Sequence, residues 1–289
     1  MSLRRDSELT EEELRALVKR RVHAPIIYQS QGRFVYDLGG VVCKESRPAY
    51  DPPEAKQCNF IRSRTDIPAP RVLGEYTLGR MQTAVSGYFM EKVEGETLAS
   101  VWLGLSLIKR KRIADQIAEY LRVLRVVNAT YIGGVEVDLP VRDEWLFYQH
   151  EPYGPFHSTD EFWEAITDSR ELAVPVSPEA LAALRRRMPE CEPFTFTHGD
   201  LHTKNIIVQD DKVVGLIDWE TAGYYPVWWE HAKFLHSVAV HPLWRRLVHA
   251  RMQRHPDGYE FVRLLHILQG YDGKEEAAKL NEVLSREGA

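Results

Sequence analysis

Two apolar runs that each end at a polar, acid-bearing turn constrain this chain most. Phe194 and Phe196 lead into Thr197-His198-Gly199-Asp200-Leu201-His202-Thr203-Lys204-Asn205. Ile206 to Val208 and Val213 to Ile217 then flank Gln209-Asp210-Asp211-Lys212, and the second run delivers Asp218-Trp219-Glu220. A polar quartet between two apolar runs predicts a β-hairpin. Asn205 stands at one open end of that hairpin and Asp218 at the other, which would bring both near Asp200.

Taken singly, each of these residues suits an ordinary cap or turn. In this order and spacing they suit phosphoryl transfer. That reaction asks a protein for a carboxylate to orient the attacking hydroxyl and for oxygen ligands to hold Mg2+ on the ATP phosphates. Mg2+ is a hard cation that prefers carboxylate and amide oxygens. An Asp, an Asn five residues on and a further Asp after a hairpin supply those groups. His198 reads as a brace for the loop.

The pattern H-G-D-x-x-x-x-N, followed by I-D-W-E, resembles that of the aminoglycoside phosphotransferase and choline kinase group, relatives of the protein kinases. Gly223-Tyr224-Tyr225-Pro226 and Trp229-Glu230 make it most similar to the small fungal aminoglycoside-phosphotransferase-like proteins. The resemblance runs from about residue 32 to 235. It implies an α+β, protein-kinase-like bilobal fold. A β-rich nucleotide-binding lobe would occupy residues 1–93, and a larger, mostly helical lobe for catalysis and acceptor binding would occupy 94–289, with a cleft between them. It implies ATP-dependent transfer of the γ-phosphate to a small-molecule hydroxyl, with Asp200 as base and Asn205 and Asp218 on Mg2+. Lys44, braced by Glu54, would hold phosphates. Backbone groups around Glu91 and Val93 would meet the adenine edge. His202 would touch the γ-phosphate or shape the loop. The chain departs from the protein-kinase pattern in lacking G-x-G-x-x-G; Gly32 alone sits in a suitable place.

The alternatives are a catalytically idle kinase-fold binding protein and a protein kinase. The intact Asp200, Asn205 and Asp218 argue against the first. His198-Gly199-Asp200 in place of His-Arg-Asp, Asp218-Trp219-Glu220, and the lack of a later Ala-Pro-Glu motif argue against the second.

With 289 residues the chain is long enough for two lobes. Its 44% hydrophobic and 27% charged content is ordinary for a soluble globular protein, and a net charge of -5 argues against a nucleic-acid footprint. Lys109-Arg110-Lys111-Arg112 reads as a solvated helix start. Cys43, Cys58 and Cys191 lack metal-ligand spacing and read as buried thiols in a reducing compartment. No run approaches about 18 apolar residues and no leader is visible, so the expectation is a cytoplasmic protein without a membrane partner. The oligomeric state is left open.

The remaining elements follow in order. Thr10 to Glu13 has the T-x-x-E form of a capping box and opens a docking helix through about Arg21. Ile26 to Tyr28, Phe34 to Tyr36 and Val41 to Lys44 read as strands. Pro52-Pro53-Glu54 starts a helix with Ala55, Cys58, Phe60 and Ile61 inward. Thr65 to Pro70 is an extended linker and Arg71 to Tyr76 a strand. Ser86-Gly87 reads as a hairpin turn between Met81–Val85 and Tyr88–Val93. Tyr88 and Met90 read as core, with contact to adenine the alternative. Thr97 to Leu105 reads as a helix, and a long amphipathic one follows Ser106.

Between Asp138 and Arg170, eight acids oppose Arg142 and Arg170 among several aromatics. A solvated acidic face over buried rings is the plainer reading; an amine-bearing acceptor, held by ion pairs and cation–π contact, is the other. Ser177-Pro178-Glu179 starts a helix, as does Trp228-Trp229-Glu230, with Glu230 in a buried salt bridge. His255 to Gly258 reads as a turn among amphipathic C-terminal helices.

Overall fold

Thr10 opens the first helix as its signature predicts: its hydroxyl accepts the Glu13 N–H, and the Glu13 carboxylate accepts the Thr10 N–H. The computed structural model describes residues 2–3, 9–30, 32–47, 54–79, 84–137, 139–141, 143, 145–147, 153–168, 170–237 and 241–288. The chain folds into two compact units, residues 1–103 with 204–220, and residues 104–203 with 221–289.

The first unit is built on an antiparallel six-stranded sheet. Its strands are β1 (Ser2–Leu3), β2 (Ile26–Ser30), β3 (Arg33–Asp37), β4 (Val41–Ser46), β5 (Val72–Leu78) and β6 (Val85–Glu91), in the spatial order β1-β5-β6-β4-β3-β2. Helix α1 (Glu11–Arg20) buries Leu14 and Val18 against Tyr36, Cys43, Tyr76 and Phe89, so it docks on the sheet as expected. The two-residue period of a strand assigns β4 two tasks. Cys43 and Glu45 are buried, Cys43 in the core shared with α1, while Lys44 between them points to the opposite face. Helix α2 (Glu54–Arg64) buries Glu54, Ala55, Cys58 and Ile61. Phe60, expected inward, is only half-buried, and Pro52 and Pro53 lie outside the described residues. Residues 65–70 lie in neither helix nor strand, in keeping with their prolines.

The Ser86-Gly87 turn is a correction. Both residues lie inside the continuous strand β6, where Gly87 pairs with Tyr76 and Ser86 with Thr77. The glycine serves a close approach: a Cβ there would stand 2.6 Å from the Tyr76 ring. That ring is held in turn by Phe89, at 5.3 Å between centroids, and by Glu45, which accepts its hydroxyl at 2.6 Å. Of the expected first strand, Met81 to Thr83 lie outside the described residues.

After β6 come β7 (Glu96–Thr97) and α3 (Leu98–Val101), which Thr97 caps and which runs on as a 3-10 helix through Gly104, close to the helix expected through Leu105. The predicted hairpin is formed by β10 (Ile206–Gln209) and β11 (Lys212–Leu216), with Ile206 opposite Leu216, and β10 also pairs with β7.

In the second unit, α4 (Leu107–Val126) is capped by Ser106 and buries Ile113, Ile117, Leu121 and Leu124. A small sheet, β12-β9-β8, is built from β8 (Asn128–Ala129), β9 (Phe194–Thr197) and β12 (Gly223–Tyr225). The other helices are α5 (Thr159–Ile166), α6 (Pro178–Arg185), α7 (Trp229–His236), α8 (Pro242–His249), α9 (Pro256–Gln269) and α10 (Lys274–Gly288). Residues 256–258, read as a turn, are the first turn of α9. Proline suits the first helical position, and Gly258 leaves room for Trp228, whose Cβ would lie 2.5 Å from an added Cβ. Cys43, Cys58 and Cys191 are free and buried. Among the described residues no helix is long and apolar enough to cross a membrane.

On α7, His231 is 2% exposed, with both ring nitrogens buried. Its ring lies 5.3 Å from that of His249 and 6.3 Å from that of His255. Burial first, then these two imidazoles, lowers its pKa to about 4.

Two outcomes follow from this packing. Gly87→Ala pushes the fixed Tyr76 ring and should cost about 1–3 kcal/mol in denaturant unfolding; an unchanged midpoint would contradict the close approach. For His231, the unfolded chain takes up a proton near pH 6.5 that the folded chain refuses until about pH 4. Its contribution to stability is therefore whole above pH 6.5 and is lost as the pH falls toward 4. His231→Leu should flatten the decline of melting temperature between pH 7 and pH 4.5, and an unaltered slope would contradict it.

Candidate functional site

Strand β4 presents Lys44 on the face away from α1, and three carboxylate oxygens meet its ammonium. Lys44 Nζ donates to Glu54 Oε1 at 2.9 Å, to Glu54 Oε2 at 2.7 Å and to Asp218 Oδ1 at 2.8 Å. Glu54 is 1% exposed at the first turn of α2. It also accepts the Tyr88 hydroxyl and, at 3.2 Å, the Trp219 N–H. Burial works against the charge on Lys44, but Glu54 and Asp218 outweigh it and hold its pKa well above the usual lysine value.

The hairpin delivers the other groups. The Asn205 carbonyl accepts the Ile217 N–H at 3.0 Å, which extends the ladder to the two positions the sequence singled out. Asn205 is 5% exposed. Asp218 adopts φ 67°, a left-handed conformation uncommon outside glycine. Such strain is often kept where a side chain must be aimed. Two residues on, Glu220 pairs with Arg33 at 2.6 Å. Burial, and next the Asp218 carboxylate, push Glu220 up to about 7 against the pull of Arg33. Gly32, with φ 80°, lies in the β2–β3 hairpin; a Cβ there would stand 2.2 Å from the Arg47 carbonyl.

Asp200 belongs to the second unit. Its loop is tied down at each residue that precedes it. The buried Glu230 carboxylate accepts the N–H of His198 at 2.7 Å and of Gly199 at 3.4 Å. His198 Nδ1 accepts the Asp200 N–H at 3.2 Å, and the His198 carbonyl accepts the Thr221 hydroxyl at 3.1 Å. His198 is thus the loop brace the sequence implied. Gly199 has φ 79°, and a Cβ would lie 2.9 Å from Thr221 Oγ1, so glycine is required. Glu230 is a correction. In place of a salt bridge it caps backbone N–H groups, because a loop that turns through Gly199 leaves donors that need a partner. Burial raises its pKa against the opposing pull of Arg125. His202 Nε2 lies 3.5 Å from Asp200 Oδ2, and its Nδ1 is buried without a partner.

Beside this loop lies a small open pocket, whose lining includes Trp145, Gly199, Asp200, Glu230, Lys233 and Ser237. Lys233 donates to Asp143 at 2.7 Å. Elsewhere in the acid-rich segment, Asp160 pairs with Arg185, Asp168 with Arg170, and Glu161 accepts the His157 N–H. Phe147, Phe156 and Phe162 are buried. Asp138, Arg142, Glu144, Tyr148 and Glu151 lie outside the described residues.

At the end of β6, the Glu91 N–H donates to the Arg71 carbonyl and the Lys92 N–H to that of Gly40, while the Glu91 carboxylate pairs with Arg71. Val93 packs against Gly215, whose added Cβ would stand 2.6 Å from Val93 Cγ1. Tyr88, Arg33 and Lys233 were missed as site residues. Only for Tyr88 was there a signal: β4 and β6 place it directly opposite Lys44.

Among the described residues no group of three His, Cys, Asp or Glu side chains could hold a metal ion by itself. Mg2+ binds through one or two carboxylates together with substrate phosphates and water. Asp218 and Asn205 offer oxygen donors of the right hardness for it.

The sequence profile of a family described as "Phosphotransferase enzyme family" (APH) matches residues 33–265. Two curated proteins, subtelomeric hrmA-associated cluster proteins from two strains of Aspergillus fumigatus, are each 29% identical over 121 residues, 41% of this chain. The match spans about a quarter (24%) of those relatives' length. Among solved structures, a thermostable mutant of aminoglycoside phosphotransferase APH(4)-Ia in a ternary complex with ADP and hygromycin B is similar, with a TM-score of 0.60 at 16% identity. That similarity covers 95% of this chain and 98% of the other. The ternary complex of APH(2")-IIa with streptomycin and ATP gives 0.54 at 15% identity, over 96% and 97%. The shared fold is protein-kinase-like, with an N-terminal antiparallel sheet lobe and a helical C-terminal lobe.

Proposed function

The chain belongs to the phosphotransferase enzyme family, and we propose that it moves the γ-phosphoryl group of ATP to a hydroxyl of a small molecule. The observation that carries this reading is Lys44 held between Glu54 and Asp218. A lysine fixed by two acids, one of them on a strained backbone, is a costly arrangement for stability alone. It has a use where phosphate charge must be met. The similar structures captured with ADP or ATP support the choice of nucleotide for the family fold.

In this reading residues 1–93 form the nucleotide-binding lobe and 94–289 the catalytic and acceptor-binding lobe. Lys44 holds phosphate oxygens, and Glu54, fixed by Tyr88 and the Trp219 N–H, sets its position. Backbone groups near Glu91 and Val93 meet the adenine edge. Asn205 and Asp218 would hold Mg2+, which when bound neutralises phosphate charge. The acceptor oxygen forms a bond to the γ-phosphorus as the bond to the bridging oxygen of ADP breaks, and the hydroxyl proton passes to Asp200. His202, beside the Asp200 carboxylate, touches the γ-phosphate or shapes that loop. Fixed donors and cations, rather than covalent chemistry, supply most of the rate gain.

An amine-bearing acceptor would draw on the acids of the 138–170 segment. Asp143, Asp160, Glu161 and Asp168 are already engaged within the protein, so the reading does not require an amine.

Substitution separates the roles. Asp200→Ala should lower turnover by about 10²–10⁴-fold, the usual share of a general base, with nucleotide binding kept. Asp218→Ala should weaken Mg2+-dependent nucleotide binding itself, read by calorimetry. Full turnover in the Asp200 variant, or unchanged binding in the Asp218 variant, would overturn the assignment.

A further inference from the structure

The sheet of the first unit turns a second cation toward the acids that follow β11. On β3, Tyr36 belongs to the core shared with α1, so the two-residue period puts Arg33 and Val35 on the opposite face. Strands β3 and β4 pair in unbroken register, with Val35 opposite Lys44 and Arg33 opposite Ser46. Arg33 and Lys44 thus share one face of the sheet, and Arg33 stands about 7 Å along β3 from the position that faces Lys44. Each meets an acid of the Asp218-Trp219-Glu220 segment. Lys44 Nζ donates to Asp218 Oδ1 at 2.8 Å, and Arg33 Nη1 donates to Glu220 Oε1 at 2.6 Å.

Both ends of the second pair are held. Trp219 is buried between the two acids, with its backbone N–H on Glu54 at 3.2 Å and its indole N–H on the Leu216 carbonyl at 2.8 Å. Arg33 follows Gly32, whose carbonyl accepts the Arg47 N–H at 2.8 Å. Yet the pair is open to solvent: the side chains of Arg33 and Glu220 are 34% and 27% exposed, against 1% for Glu54. An ion pair so exposed adds little to stability. A guanidinium carries five N–H donors in a planar fork, so it can hold a carboxylate through one nitrogen and meet phosphate oxygens through another.

In protein kinases a glycine-rich loop covers the phosphates. This chain has no G-x-G-x-x-G; at the β2–β3 turn it has Gly32 followed at once by Arg33. We propose that Arg33 is a phosphate-binding residue, a second cation beside Lys44 whose side chain supplies donors that a glycine-rich loop would supply from its backbone. The inference rests on the phosphotransferase reading for its ligand, the polyphosphate of a nucleotide. A bare Glu220 carboxylate would repel that ligand; paired with Arg33, it is neutralised and holds the guanidinium in place.

The test is calorimetric binding of Mg-ATP and Mg-GTP to the full chain, with the melting temperature without nucleotide as the check on folding. Arg33→Met should weaken binding of the preferred nucleotide by about tenfold or more, the size expected of a hydrogen bond from a charged group. Its melting temperature should stay within a few degrees of wild type. Arg33→Lys keeps the charge without the fork and should recover part of the affinity. Loss of Arg33 also unmasks Glu220, so the substitution is repeated on Glu220→Gln, where no carboxylate is left to repel the phosphates. The double variant should still bind several-fold more weakly than Glu220→Gln alone. Unchanged affinity in Arg33→Met, or a loss that vanishes in the Glu220→Gln background, would overturn the inference and leave the phosphotransferase reading standing. Arg33-dependent binding with no phosphate transferred to any acceptor would uphold the inference and overturn that reading. A wild-type chain that binds neither nucleotide would overturn both.

Discussion

The interaction on which the first unit's buried polar cluster depends is the meeting of Lys44 with Glu54 and Asp218. Three segments far apart in sequence contribute: a strand, the start of a helix and the end of a hairpin. Each is placed by ordinary rules. The two-residue period of β4 turns Lys44 away from the core that holds Cys43. The first turn of α2 favours an acid, and that turn is where Glu54 sits. The ladder that pairs Ile206 with Leu216 and extends to Asn205 and Ile217 brings Asp218 to the end of its strand. A buried ion pair adds little net stability, because desolvation offsets attraction. What it adds is position. Tyr88 and the Trp219 N–H occupy the remaining lone pairs of Glu54, so Lys44 has one place to be.

The second unit solves a different problem. A loop that must expose a carboxylate cannot form regular structure, yet its backbone donors must be satisfied. Glu230, reaching from α7, accepts two of them, and His198 accepts the third from Asp200 itself. Gly199 makes the turn possible because no side chain fits beside Thr221. The same helix carries Lys233 into the pocket one turn further on. One short helix therefore both anchors the Asp200 loop and furnishes the wall beside it.

Local rules made much of this legible in the sequence. The capping box at Thr10, the hairpin of β10 and β11 and the long helix after Ser106 all follow from short-range signals. The errors share a cause. Ser86-Gly87 has the composition of a turn, but the glycine is there for the Tyr76 ring across the strand. His255 to Gly258 likewise reads as a turn, yet Gly258 makes room for Trp228. A glycine's reason is often a neighbour distant in sequence, and local composition does not hold that neighbour. Glu230 was placed correctly as buried, but its partners are backbone donors, which carry no residue identity to read. Tyr88, Arg33 and Lys233 became visible only through pairing across strands and helices.

The central claim is that the chain transfers phosphate to a small molecule. Its most direct test follows isotopically labelled γ-phosphate from Mg-ATP in the presence of a fractionated pool of small hydroxyl compounds. The account predicts label on a small organic molecule, with ADP released in equal amount. Label found only on protein, or only as inorganic phosphate, would contradict it.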